Sequence, residues 1–203
     1  MDMNLKVNEL LDLALSRRNY VAGTLAGGVA ALATPLGLGR AFAQGMSDVD
    51  ILQFALTLEH LEARMYRDML ATNILSGKEM QYFQRFGAHE AAHVDALTSA
   101  LNSVGADPVA AQESYNFPPF NNRGDILNFA RTAEELGVGA YQGAAPAISN
   151  ADYLAAAGSI VQVEARHAAI VRILIGAQPA PAAVTASRTV DQVLDVVNPI
   201  LGN

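Results

Sequence analysis

The sequence predicts an all-α fold, a four-helix bundle followed by one short helix. From Ser47 onward the apolar residues recur at spacings of three and four, and no stretch alternates with a period of two for long enough to form a strand. The chain has 203 residues, of which 51% are hydrophobic, so it is long and apolar enough to bury a core. These observations favour one helical domain over a disordered chain.

The first two helices are bounded by capping residues. The first is predicted over about 47–73, because Ser47 is a good N-cap and acidic residues occupy the first turn. The second is predicted over about 76–105, with Ser76 and Glu79 in capping-box spacing. Only a short connection separates the two helices, so they form an antiparallel hairpin.

The third and fourth helices form a second hairpin. They are predicted over about 125–145 and 151–176, and prolines follow both. The proline-rich segment 106–124 is a long crossover between the two hairpins, as in one class of four-helix bundle. Residues 189–201 are predicted to form a short capped helix that packs on the outside.

Residues 1–43 are predicted to be a signal peptide. Arg17 and Arg18 precede the uncharged stretch 21–39, and residues 41–43 have the small-x-small pattern of a cleavage site. This resembles a twin-arginine signal and indicates export to the periplasm or cell surface of a bacterium. An uncleaved N-terminal anchor is the alternative. The predicted organisation is a signal peptide at 1–43, a bundle at 47–178 and a tail with a short helix at 179–203.

Composition excludes several classes of site and partner. Without cysteine, the chain has no disulfide framework, iron-sulfur cluster, cysteine zinc site or catalytic thiol. Any metal must therefore be held by oxygen and imidazole nitrogen. The formal net charge of -7 provides no basic surface for phosphate backbones, so no nucleic-acid partner is expected.

Carboxylates fall on the inward faces of all four predicted helices, where a bundle should be apolar. Glu59 and Glu62 lie on the first helix, and the other three helices carry Glu90, Glu134 and Glu164 in turn. Together they form one level of negative charge across the core. Ionised groups buried without a partner are strongly disfavoured, so this level requires a counter-charge. The apolar part of the fourth inward face is predicted to include Leu154, Ala157, Val161, Val171 and Leu174.

Two Glu-x-x-His pairs indicate that the counter-charge is metal. Glu90 with His93, and Glu164 with His167, each place a carboxylate and an imidazole on one helix face, about 5 to 6 Å apart at Cβ. One glutamate each from the first and third helices completes the set. Four carboxylates are balanced by two divalent cations, whereas one cation would leave two negative charges. The predicted ligands of a two-metal site, iron or manganese, are Glu59, Glu90, His93, Glu134, Glu164 and His167.

Tyrosines repeat on the first and third helices. Tyr66 follows Glu59 by seven residues, and Tyr141 follows Glu134 by seven. This repeated spacing favours Glu59 over Glu62 as the ligand from the first helix. Glu62 is kept as a candidate for a further ligand. Tyr66 and Tyr141 are the candidate catalytic residues. Either their rings fill the core with each hydroxyl bonded to a carboxylate, or they act as redox relays.

The remaining histidines, His60 and His89, are adjacent to ligand positions but turned by about 100°. We expect them at the surface or in contact with a ligand rather than on the metal.

These residues resemble the ferritin-like superfamily, and more closely its exported branch related to plant and fungal desiccation- and stress-associated ferritin-like proteins. The resemblance is carried by residues 50–63, 134–146 and 163–169, and it extends over about 47–201. It implies a ferritin-like four-helix bundle, and its ligand pattern transfers to the same six residues without substitution.

Two classes of function fit this interpretation. The first is an oxidoreductase that acts on oxygen or hydrogen peroxide, with ferroxidase, peroxidase or catalase-like activity. The alternative is a non-enzymatic envelope stress-tolerance or structural protein in which metal stabilises the bundle. Metal storage and a metal-free degenerate site are the remaining options, and a homo-oligomer stays open.

Overall fold

In the computed structural model, residues 45–203 are described, and this part of the chain contains helices and no strand. The helices are α1 (Asp48–Ala71), α2 (Gly77–Ser103), α3 (Arg123–Ala144), α4 (Ala151–Leu174) and α5 (Val190–Leu201), with a 3-10 turn at Ala145–Ala147. The all-α prediction is confirmed. The predicted signal peptide, residues 1–43, lies outside the described residues. Within 45–203, no helix combines the length and apolarity needed to cross a membrane.

Side-chain caps fix most helix starts. Ser47 and Asp50 form a capping box at α1, with the Asp50 amide donating to Ser47 Oγ over 3.2 Å. Asn122 caps α3, which therefore begins at residue 123 rather than at the predicted 125. Asn150 and Thr189 cap α4 and α5 in the same way.

The predicted capping box at the start of α2 is wrong. Ser76 precedes α2 but makes no side-chain cap hydrogen bond. Glu79 instead accepts hydrogen bonds from Arg123 at the start of α3, with Nε to Oε1 at 2.9 Å. Arg123 also donates to the Leu174 carbonyl at the end of α4. A tertiary ion pair thus replaces the local cap, because a charged donor is the stronger hydrogen-bonding partner.

The crossover, residues 104–122, follows α1 along its length. Gln53 accepts from the Val109 amide at 2.8 Å, and further along α1 Arg64 donates to the Glu113 carbonyl at 3.1 Å. The chain is thereby returned to the opposite end of the bundle before α3 begins. This connection makes α3 antiparallel to α1 and confirms the one-crossover bundle.

Residues 185–201, the C-terminal strap, cover the seam between α1 and α3. The Arg188 amide donates to the Gly139 carbonyl at 2.8 Å. A Cβ at Gly143 would stand 1.9 Å from the Arg188 carbonyl oxygen, so only glycine allows this approach. α5 then buries Val193 and Val197 against the bundle.

The core forms two apolar clusters on either side of the inward carboxylates. One is rich in aromatic residues and contains Tyr66 and Phe83, and the other is aliphatic and contains Leu56 and Leu97. The prediction that Leu154 faces inward is wrong, since 42% of it is exposed. Tyr153 packs against the aliphatic cluster instead, because the inward stripe of α4 is shifted by one residue at its first turn.

Candidate metal centre

The six predicted ligands converge at the middle of the bundle. Their relative exposure is 0% for Glu90, Glu134 and Glu164, 1% for Glu59 and His167, and 8% for His93. Their potential ligand atoms form two sets, in each of which the atoms lie within 4.8 Å of one another. The sets are Glu59, Glu90, His93 and Glu164, and Glu90, Glu134, Glu164 and His167.

Glu90 and Glu164 belong to both sets. Glu90 Oε2 lies 2.9 Å from His93 Nδ1, while its Oε1 lies 3.0 Å from His167 Nδ1. Glu164 is placed in the same way, with its Oε1 3.0 Å from His93 Nδ1 and its Oε2 3.8 Å from His167 Nδ1. Glu59 and Glu134 each belong to one set only. The geometry is that of two neighbouring positions joined by two shared carboxylates.

Several lone pairs at the centre have no hydrogen-bond donor. The buried atoms without a partner include Glu90 Oε1, Glu134 Oε2, both carboxylate oxygens of Glu164, and His167 Nδ1. Buried polar atoms are nearly always hydrogen-bonded, so this concentration at one site is unusual. Acceptor atoms that face one another are satisfied by cations, and carboxylate oxygen and imidazole nitrogen suit hard or borderline divalent metals. The cluster could therefore bind metal ions.

Burial keeps protons on several of these carboxyl groups. Burial, opposed by the hydrogen bond to His93, raises the pKa of Glu59 to about 8. Burial, together with the charge of Glu164, also raises the pKa values of Glu62 and Glu134 well above the ordinary value. A metal ion entering the centre would displace protons from these groups.

Glu90 and His93 form the charged pair of the centre, because the pKa of Glu90 is lowered and the pKa of His93 is raised. Burial alone would raise the pKa of Glu90, but the neighbouring imidazoles of His167 and His93 outweigh it and lower the pKa to about 2. Burial alone would lower the pKa of His93, but its three carboxylate partners raise it to about 12. In the metal-free protein, a protonated imidazole thus supplies part of the missing positive charge.

The two predicted tyrosines bond across the α1/α3 pair. The Tyr66 hydroxyl donates to Glu134, and the Tyr141 hydroxyl donates to Glu59 Oε1 at 2.5 Å. Neither bonds to the glutamate seven residues before it, since two helical turns separate them by about 10 Å along the axis. Burial raises the pKa values of both phenols well above the ordinary value, so they remain protonated donors. Each tyrosine holds one unshared glutamate.

His89 connects the centre to the surface. Its Nδ1 lies 2.9 Å from His167 Nε2, and the two rings stack at 5.2 Å with an interplanar angle of 5°. His89 is exposed, whereas His167 is buried. His89 therefore contacts the imidazole of a predicted ligand rather than a carboxylate. His60 lies away from the centre, with its Nε2 3.1 Å from the Val109 carbonyl.

Glu62 is buried beside the centre but belongs to neither ligand set. A Cβ at Gly137 would lie 3.3 Å from Glu62 Oε1 and 3.9 Å from Glu164 Cγ. The missing side chain of Gly137 therefore leaves the space that the Glu62 carboxylate occupies. The sequence signal for this arrangement is a glycine on the inward face of α3, three residues after Glu134.

Comparisons with known proteins support the fold that holds this cluster. Residues 47–177 match the family described as ferritin-like domain. A conserved hypothetical protein from Mycobacterium tuberculosis is similar in structure, with a TM-score of 0.60, 21% identity, and coverage of 68% of this chain and 96% of that one. Among curated proteins, no sequence matches the chain.

A second similar structure is a two-domain protein from Anabaena variabilis that contains DJ-1/ThiJ/PfpI-like and ferritin-like domains. Its TM-score is 0.51 at 18% identity, with coverage of 87% of this chain. The chain spans 52% of that protein's length. At these identities the two structures support the fold alone, whereas the family match covers more than half of the chain. The chain therefore belongs to the ferritin-like domain family.

Proposed function

We propose that the chain is an exported two-metal carboxylate protein, loaded with iron or manganese, that acts as an oxidoreductase on oxygen or hydrogen peroxide. The observation that carries the proposal is the sharing of Glu90 and Glu164 between two ligand sets. Four carboxylates across two neighbouring positions match the charge of two divalent cations. When bound, two such ions supply two electrons to an oxygen-oxygen bond or accept two from it.

The residues would divide the work of holding the metals. Glu90 and Glu164 would bridge the two positions, because each already directs one oxygen toward His93 and the other toward His167. Glu59 and Glu134 would each bind one metal. The absence of cysteine and the all-oxygen-and-nitrogen donor set favour iron or manganese over metals that prefer thiolate.

The tyrosines and His89 would support the ligands rather than replace them. Tyr66 and Tyr141 donate to the unshared glutamates and restrict how these can turn. The stack of His89 on His167 fixes the ring orientation of a ligand and provides a hydrogen-bonded link to the exposed face of α2. Ferroxidase, peroxidase and catalase-like reactions all fit these residues.

The experiment is a metal and turnover assay on the purified full chain. We expect about two metal ions per chain by elemental analysis, and consumption of hydrogen peroxide or of ferrous iron with oxygen. Glu134→Gln should lower metal content and turnover. The matched control is Glu135→Gln, because Glu135 pairs with Arg172 at 2.6 Å outside the centre. Fewer than one ion per chain, or equal loss in both variants, would overturn the proposal.

A second candidate is a non-enzymatic envelope protein in which metal stabilises the bundle. It is favoured by the raised pKa values of Glu59, Glu62 and Glu134, since a cluster of like charges is costly without a cation. Two bound metals without turnover would favour this candidate.

A further inference from the structure

A cavity lies in the bundle beside the metal centre. Its volume is about 50 Å³, several times the roughly 10 to 15 Å³ that one water molecule needs. Much of its lining consists of alanines from all four long helices, and no charged residue lines it. These alanines include Ala55, Ala96, Ala100, Ala140, Ala156 and Ala157.

The cavity is confined to one side of the centre. On the opposite side, large side chains such as Tyr66, Met69, Phe83 and Leu127 are 0% exposed and fill the aromatic cluster. Protein interiors are close-packed, so a void of this size requires a local cause. The cause is the set of small residues that replaces large ones on this side.

The cavity lies about one helical turn from the centre and extends to exposed residues of α2 and α4. Its lining residues Leu97 and Ile160 follow and precede the ligands His93 and Glu164 by four residues, about one helical turn. Tyr141 also lines it, and its hydroxyl is bonded to Glu59. On the α2 and α4 side, the lining residues Ala96 and Ala156 are exposed.

The chemistry of the lining selects the occupant. Tyr141 and Tyr153 carry the only polar side-chain atoms among the lining residues, and the Tyr141 hydroxyl is already engaged. Water in such a cavity would lose hydrogen bonds without replacement, and a charged molecule would find no counter-charge. An uncharged hydrocarbon group would instead gain the dispersion contacts that the void lacks.

We propose that this cavity is a binding site for a small, uncharged, apolar organic molecule, which it places one helical turn from the metal centre. The binding does not rest on the proposed function, because none of the six metal ligands lines the cavity. The position of the molecule beside the centre makes it a candidate reactant for the proposed oxidoreductase, and this second step does rest on that function.

The test is calorimetric titration of toluene into the purified full chain, both as isolated and after chelation. We expect saturable binding in both states with a dissociation constant below about 1 mM, and no binding of benzoate, which adds a charge. Ala156→Leu should weaken toluene binding about tenfold or more by filling the cavity. The control is Ala155→Leu, since Ala155 is the exposed neighbour outside the lining.

The same comparison of toluene affinity on α2 uses Ala96→Leu, with Ala92→Leu as its control. Ala92 is exposed and does not line the cavity. Thermal melts of all four variants establish that they fold. Equal toluene affinity in the members of each pair, or no toluene binding to the parent chain, would overturn the proposal. A dimer by light scattering that Ala156→Leu dissociates, without toluene binding, would assign the cavity to a second copy and overturn it as well. Toluene binding to a chain that holds less than one metal ion as isolated, before any chelation, would contradict the proposed function alone.

Discussion

The C-terminal strap depends on one glycine of α3, and this dependence can be measured. Alanine at Gly143 would place its Cβ 1.9 Å from the Arg188 carbonyl oxygen, where ordinary contact begins at 3.4 Å. The strap would have to withdraw by about 1.5 Å, because backbone atoms cannot rotate out of the way as side chains do. The hydrogen bond from the Arg188 amide to the Gly139 carbonyl, 2.8 Å long, would break.

The magnitude follows from three contributions. Overpacking of this kind costs about 1 to 3 kcal/mol. The lost hydrogen bond costs about 1 kcal/mol. The better helix propensity of alanine returns up to about 1 kcal/mol. We therefore expect Gly143→Ala to lower the free energy of unfolding by about 2 kcal/mol, with the strap displaced but α5 still docked.

Gly158→Ala is the matched control. Gly158 is also inside a helix, but a Cβ there would meet nothing within 4 Å. This variant should gain about 0.5 to 1 kcal/mol from propensity alone. The two variants should then differ by about 3 kcal/mol, or by at least about 6 °C in Tm for a domain of this size. Equal Tm values in thermal melts would refute the steric argument.

Three further predictions concern the centre and the helix caps. The pKa of Glu59 rises from 4.5 to about 8 on folding, so the folded chain binds more protons than the unfolded chain between these pH values. The chelated protein should therefore lose stability as the pH rises from 4.5 to 8. Thermal melts at each pH should show that Glu59→Gln flattens this dependence. Metal removal should for the same reason lower Tm more at pH 8 than at pH 5, which melts with and without chelator can show, and an equal effect at both pH values would contradict the proton displacement. Ser47→Ala should cost about 1 kcal/mol in denaturant unfolding because its capping box is formed, whereas Ser76→Ala should cost almost nothing, and a similar cost for both would contradict the cap assignments.

The helices and the convergence of the six predicted ligands could be predicted because their sequence signals are local. A glutamate and a histidine three residues apart share a helix face whatever the helix packs against, so Glu90 with His93 could be placed together from spacing alone. The bundle then brings such faces to its axis, and the structure does gather all six predicted ligands there. Local periodicity was thus enough to predict the fold class and the clustering of the six residues.

The unpredicted features depend on contacts between distant segments. Tyr66 bonds to Glu134 and Tyr141 to Glu59 because α1 and α3 are antiparallel, and no spacing within one helix reveals that exchange. The loss of the Ser76 cap depends on Arg123, which lies 44 residues from Glu79. The cavity depends on alanines from four helices that meet only in the folded bundle.

The C-terminal strap also sets an order on folding during synthesis. All six predicted ligands lie between residues 59 and 167, whereas the strap begins at residue 185 and is made after them. All six predicted ligands of a nascent chain are therefore synthesised before the segment that covers the α1/α3 seam has left the ribosome. The seam stays uncovered during that interval, and α5 can close it only after the predicted ligands have been synthesised.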